Sequence, residues 1–446
     1  MSWVRVFIPV LVLLVAGVLV LWLARDDDGA PPPLRILFTG ETMGELEPCN
    51  CASQMAGGLP ARGGYLAGQA GPYLLLDTGC VGRGARAFER LRAAATLRAM
   101  AELKYDAMNI GEHELWLTQA ELAELRAIGV PFVSANAAFT HAPDLVQPYV
   151  VTESTGRPVA VTGVVDDGYK QVDTGFRIDP PAEAIARLLS TLPSNIQTVV
   201  LLADLREPDV RELARQFPEL DVILFRGRGD SLKPTRVNRS IIASVYGESR
   251  YIGDLTIMHD AATGWTATGQ AVLLDERYAD DSHVVEASID WYKQETADRV
   301  FDLSENRPGS PLIRPHQAGP GNGYVGSDAC IQCHGQAHGI WSAQRHARAM
   351  DSLQRVGYDH SPECVVCHVV GYGAADGFLS MDATPGLGNV GCESCHGPGE
   401  ALLSGACRGI ARRGSEEDCR QCHFGKHDPG FSFDRDFALI DHAEQP

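Results

Sequence analysis

Hydrophobic positions along this chain fall into distinct regimes. Val6 to Ala24 is a run of 19 residues without a charged side chain. As a helix it would reach about 28 Å, close to the hydrocarbon thickness of a bilayer. From Leu34 to about Asp280, short apolar runs alternate with amphipathic stretches. Strands are expected at Arg35–Thr39, Tyr73–Asp77, Ala107–Ile110, Phe132–Ala135, Val159–Val164, Val199–Leu202 and Val222–Phe225. Helices are expected at Ala87–Leu103, Thr118–Ala127, Pro181–Thr191 and Val210–Gln216. Strands alternating with helices at this spacing predict a layered α/β domain. Ser282 to Leu303 reads as one further helix, with Val285, Ile289, Tyr292 and Val300 on its apolar side. Ser304 to Gly323 holds four prolines and four glycines and reads as a linker. From Tyr324 onward the composition changes sharply.

The first regime bears on compartment. Arg5 precedes the apolar run; Arg25 and Asp26-Asp27-Asp28 follow it. A short basic start before a long C-terminal part is the arrangement of a signal anchor. The alternative, a cleaved signal peptide, should have a shorter apolar region ending in a small-x-small site, which Trp22-Leu23-Ala24 matches poorly. Residues 1–25 are therefore expected to form a transmembrane helix and 26–33 a Pro-rich tether. The bulk is then anchored to the inner membrane and faces the periplasm or another extracytoplasmic space. The net charge of -19 argues against nucleic acid as a partner.

Cysteine placement supplies the chemistry. Of twelve cysteines, three precede residue 81 and nine follow residue 329. Eight of the nine form four C-x-x-C-H pentapeptides: Cys330-x-x-Cys333-His334, Cys364-x-x-Cys367-His368, Cys392-x-x-Cys395-His396 and Cys419-x-x-Cys422-His423. This is the c-type haem attachment pattern. Two thiols at this spacing reach the two vinyl groups, and the adjacent imidazole is delivered to the iron as proximal ligand. Zinc also uses paired C-x-x-C motifs, but gives no reason for a histidine at the next position in all four. Four haems in residues 324–446 leave little room for an ordinary core, so the porphyrins are expected to form it.

Two resemblances follow. Cys330…Trp341-x4-His346-Ala347-x-Ala349-Met350, then Cys364–Gly371, then Val390–Gly399 with its Gly397-Pro398-Gly399, resembles the tetrahaem cytochrome c-554 family. That family implies a mainly α, haem-cored electron-transfer domain with stacked haem pairs and mostly bis-histidine iron. By the resemblance, His346 matches the distal ligand to the third haem and His442 the distal ligand to the fourth. The family's histidine after Gly-Pro-Gly is missing here; Cys407 lies near that position as a candidate thiolate ligand to the first haem, with His338 another substitute. His338 otherwise reads as a solvated helix residue. His360 and His427 are candidates at the second haem.

The segment 34–280 resembles the metallophosphoesterase domain of 5′-nucleotidases. Arg35–Gly44, Gly57-Gly58-Leu59-x-Ala61-Arg62, Leu74–Gly79, Met108–Leu115 and Pro131–Asn136 carry the likeness. It implies a four-layer αββα sandwich of the calcineurin-like phosphoesterase type and a site for two divalent ions. The ligands have changed. Glu41-Thr42-Met43 stands for the Asp-x-His, Cys80 for the bridging Asp, and Glu112 for the Asn before His113. Asp204 stands near a lost His, and Arg226-Gly227-Arg228-Gly229 for the Gly-His-x-His. Cys49, Cys51, Cys80, His113 and Glu41 are expected at one end of the sheet. They suit either a zinc or copper site or a disulfide from Cys80 to Cys49 or Cys51.

The expected organisation is therefore anchor (1–25), tether (26–33), degenerate phosphoesterase-like domain (34–280), helix and linker (281–323) and tetrahaem domain (324–446). Its expected function is electron transfer with redox proteins bearing basic docking faces, since haem propionates add charge to an already acidic surface. Alternatives are a redox enzyme acting on a small nitrogen or sulfur species at an open haem, and a phosphohydrolase with appended haems.

Overall fold

The structure, a computed structural model, describes residues 32–442 apart from 49–55, 154, 172–174, 228–230, 246, 261–263, 279–280, 298, 300, 302–322, 375, 405–413, 425–427 and 429. The apolar run 6–24 and Cys49, Cys51, Cys407 and His427 lie outside the described residues. Among those described, no helix is long and apolar enough to cross a membrane.

Two six-stranded sheets face each other. In the first, β1 (Leu34–Thr39), β2 (Leu74–Asp77), β3 (Ala107–Asn109) and β4 (Phe132–Val133) run parallel. A short ribbon of β5 (Ala137–Phe139) and β8 (Phe176–Ile178) stands apart from both sheets. The second sheet has a parallel centre of β7 (Val159–Val165), β9 (Thr198–Asp204), β10 (Val222–Arg226) and β12 (Ser240–Val245). Its edges are β6 (Val150–Thr152) and β11 (Thr235–Val237), both antiparallel to their neighbours. A long hairpin of β13 (Tyr251–Asp260) and β14 (Gly264–Leu273) then returns to the first sheet and pairs with β1.

Every residue of β7 and β9 is buried, as expected of strands covered on both faces. Alternation along each strand divides the side chains between layers. Ile36, Phe38, Leu74 and Leu76 meet Val159, Val161, Val200, Leu202 and Leu224 between the sheets. Leu37 and Leu75 turn outward to α1 (Leu59–Ala67) and α2 (Ala87–Glu102). Ile185, Val210 and Leu213, on helices at Pro181–Leu189 and Glu207–Gln216, cover the far face of the second sheet. The result is the expected αββα sandwich.

All seven expected strands and four expected helices of this region form. The sequence reading missed α1, the β13–β14 hairpin, the buried strand β12 and the short strands β5, β6, β8 and β11. The edge strand β14 is mostly half-buried or exposed and interleaves Thr, Gly and Gln with its apolar residues, so it offers no long apolar run to find.

Ser282–Val285 continues through a π-turn at Glu286–Asp290 into Trp291–Ala297. This helical stretch is no spacer. Val284, Ile289 and Tyr292 are buried between Leu91, Ala95 and Ala99 of the sandwich and Met350, Leu353, Tyr358, Val365, Val369 and Val370 of the C-terminal part. From residue 324 onward, the described chain is a set of short helices and turns. Its buried apolar side chains all belong to that one shared cluster. Around the first, third and fourth C-x-x-C-H motifs the described residues build no apolar core of their own, and Ile331, Leu403, Phe424 and Leu439 stand exposed.

Candidate redox centres and the sheet-edge cluster

Each C-x-x-C-H motif rides on a short helix or its end. The helices are Ile331–Ser342, Pro362–His368, Cys392–His396 and Glu416–Arg420. A helical turn puts two cysteines at i and i+3 on one face, which is what attachment to one porphyrin edge requires. His334 breaks its helix, with φ −130° and ψ 40°. The motifs are drawn together: Cys330 lies within hydrogen-bonding reach of Cys392, and Cys367 of Cys422. Seven of the eight motif cysteines are free thiols.

The imidazoles test whether these residues fit a haem. Two imidazoles on opposite faces of one iron have ring centroids about 6 Å apart, since a metal–nitrogen bond is about 2 Å and each ring adds its half-width. His346 lies 6.0 Å from His423 and His442 lies 5.7 Å from His396, centroid to centroid. Nδ1 of His423 contacts Asp428 Oδ2 at 2.8 Å, that of His442 the Ile440 carbonyl at 3.0 Å, and that of His368 the Ala349 carbonyl at 2.8 Å. Fixing Nδ1 in this way leaves Nε2 as the ligating nitrogen and sets the ring orientation. Burial, with His423 and His368 nearby, holds the His346 pKa below its ordinary value, which favours the neutral form that ligates metals. The residues fit the group.

The described contacts sort the distal candidates. Counting haems by attachment motif, His346 faces the fourth motif and His442 the third, the reverse of the order read from sequence. The pairing is made by loops. Val390 N–H donates to the His346 carbonyl and Trp341 Nε1–H to the Val390 carbonyl, at 3.1 and 2.9 Å. His360 is not brought to a motif imidazole by any described contact; half exposed, it lies 3.8 Å from Asp359. His338 is not a solvated helix residue: its side chain is 17% exposed, 5.1 Å from the Trp341 ring and 3.6 Å from Asp328. The short helix carries it inward beside Cys392.

The second cluster sits at the C-terminal ends of the strands. Cys80 occupies a left-handed conformation (φ 62°) in the loop that follows β2. It is a free, buried thiol that donates to Asp204 Oδ2 at 3.3 Å. This corrects the expected disulfide from Cys80 to Cys49 or Cys51. Glu114 accepts from the backbone N–H groups of Cys80, Val81 and Gly111 at 2.8 to 2.9 Å. Burial lifts its pKa to about 7 against those three hydrogen bonds. Burial also pushes the Cys80 thiol well above its ordinary value, helped by Asp204 and Glu114. Asp204 further accepts from Glu112 N–H at 2.7 Å and pairs with Arg226 at 3.4 Å. His113 turns Nδ1 to the Gly82 carbonyl at 2.5 Å, and Glu41 adopts φ 49° in the loop after β1.

Among the described residues, no three of His, Cys, Asp and Glu are arranged to hold a metal ion. The buried charge partner at this sheet edge is instead the guanidinium of Arg226. Sequence reasoning missed Glu114 and Tyr169, whose hydroxyl hydrogen-bonds Glu112. The carboxylate immediately after the retained His113 was the available signal for Glu114.

Comparison with known proteins divides the chain in the same way. The family profile "Cytochrome c554 and c-prime" matches residues 329–397. Cytochrome c-554 of Nitrosomonas europaea is 31% identical over 134 residues, covering 22% of this chain and 57% of that protein. An apyrase of Aedes albopictus is 25% identical over 278 residues, covering 54% of this chain and 48% of the apyrase. The chain thus spans about half the length of these curated relatives. Among solved structures, a 5′-nucleotidase precursor from Thermus thermophilus aligns with TM-score 0.53 at 20% identity, over 73% of this chain and 68% of that one. The NAD nucleotidase of Haemophilus influenzae aligns with TM-score 0.50 at 15% identity, over 66% and 64%. The chain joins an N-terminal region of calcineurin-like phosphoesterase fold to a C-terminal region that resembles the cytochrome c-554 family.

Proposed function

We propose that this protein is a membrane-tethered, extracytoplasmic tetrahaem cytochrome that carries electrons between redox partners, and that its phosphoesterase-fold domain is a scaffold without hydrolytic activity. The observation that carries the reading is the pair of imidazole couples, His346 with His423 and His442 with His396, each at the separation one iron needs. When bound, the haems supply one-electron ferric–ferrous chemistry. The chain's own residues would attach them through the eight motif cysteines and hold Nδ1 of the imidazoles of His368, His423 and His442, while the shared apolar cluster would exclude water beside the second motif. Acidic residues outnumber basic ones, 57 to 38, which favours electron-transfer partners with basic docking faces.

The names of the N-terminal relatives suggest hydrolysis of phosphate esters. Against it stands the sheet edge: a neutral buried thiol at Cys80, and Asp204 held by Arg226, occupy positions where that chemistry wants anionic metal ligands. The deciding experiment is a haem stoichiometry with a spectroscopic redox titration and EPR on the purified full chain. Four haems titrating as one-electron centres are expected. Fewer than four, or turnover of a phosphate ester on adding Mn²⁺ or Zn²⁺, would overturn the reading. Membrane fractionation before and after removal of residues 1–25 tests the anchor.

A further inference from the structure

The N-terminal domain touches the four motifs unequally. Among the described residues, only the second contributes to the cluster shared between the domains: Val365 lies inside it, Val369 and Val370 follow directly, and Cys364 packs against its edge. Glu363, the residue before Cys364, is the polar centre of that contact. Arg92 on α2 reaches across the domain boundary to pair with Glu363, and also donates to the Gly44 carbonyl in the loop after β1. The fully buried Tyr292 donates its hydroxyl to the same carboxylate at 2.8 Å. Its ring lies 5.4 Å from the Arg92 guanidinium. A carboxylate beside an attachment cysteine is thus neutralised by a cation from another domain.

We propose that Arg92 is a positioning residue for the second haem: by pairing with Glu363 it sets that haem's reduction potential apart from the other three. The inference rests on the tetrahaem reading. A fixed charge near an iron centre biases its oxidation state, because ferric haem carries one more positive charge than ferrous haem. An unpaired carboxylate favours the ferric form and lowers the potential; an unpaired guanidinium does the reverse. Partial burial on both sides, 21% exposure for Arg92 and 27% for Glu363, keeps solvent from screening either charge fully.

The test is a potentiometric titration, followed optically and by EPR, of the full-length holoprotein and three variants. Arg92→Gln should lower the potential of one haem, and Glu363→Gln should raise that of the same haem. Each shift should be about tenfold in its reduction equilibrium, ~59 mV for one electron. Arg92→Lys, which keeps the charge, should leave all four potentials unchanged. Shifts of the same sign in both Gln variants, equal movement of all four haems, or no movement would overturn the proposal. If Arg92→Gln does not load four haems, Glu363→Gln and Arg92→Lys carry the comparison, and an unmoved potential in the first overturns it. A wild-type protein with fewer than four haems would instead remove the reading on which the proposal rests.

Discussion

Glu114 shows how much one side chain holds at the sheet edge. Its carboxylate gathers three backbone N–H groups from two different loops, and burial raises its pKa from the ordinary 4.5 to about 7. The folded state therefore binds a proton that the unfolded state has released between those two values. Stability contributed by the protonated carboxyl is full below pH 4.5 and is lost as pH rises through about 7, by roughly 3 kcal/mol in all. Denaturant unfolding at pH 5 and pH 8 should show this slope. Glu114→Gln should flatten it and cost about 2 kcal/mol at pH 5, because an amide –NH₂ must face a backbone donor. An equal slope in the variant would assign the effect elsewhere, for instance to Asp204, whose pKa burial also raises. The neighbouring Cys80 is buried and kept neutral. It should resist alkylation at pH 8 in the native protein and react only after unfolding, as read by peptide mass spectrometry.

At the scale of elements, the helical stretch 282–297 is the joint of the molecule. Of its expected apolar positions, Ile289 and Tyr292 are buried, Val284 is buried where Val285 was expected, and Val300 lies outside the described residues; the partners they meet were not visible in the sequence. Val284, Ile289 and Tyr292 bury against α2 on one side and the second-motif helix on the other. Tyr292→Phe keeps the ring and removes the hydroxyl that bonds Glu363 and Ser361. A hydrogen bond to a charged group is worth about 1.5–3 kcal/mol, so the unfolding midpoint of the whole chain should fall accordingly. Leu353→Ala, at a position 8% exposed in the same cluster, should cost about 2–5 kcal/mol. Both effects should appear in the N-terminal and haem signals together. A loss confined to one signal would mean that the two regions unfold independently.

Across the whole molecule, the imidazole couples proposed to hold iron are assembled from segments distant in the chain: residue 346 with 423, and 442 with 396. His346→Ala and His442→Ala should each remove one low-spin EPR signal, and the double variant two. In a background lacking the fourth attachment motif (Cys419→Ala with Cys422→Ala), the His346 change should become silent while the His442 change persists. The opposite outcome would restore the order expected from sequence.

The attachment motifs and the alternating strands and helices of the sandwich could be read from the chain. Each is a local pattern: a spacing of three and one, a period of two or 3.6, or a residue type at a motif position. Which histidine meets which motif, the state of Cys80, the burial of His338 and the seating of the second motif on α2 could not. They depend on loops that bring segments together over 46 to 271 residues, as between His396 and His442 or Arg92 and Glu363. The energies that choose among such pairings come from shared burial and from paired charge, and neither leaves a periodic mark on the sequence. Sequence determined what each part of this protein is built to hold; tertiary packing decided which parts hold it together.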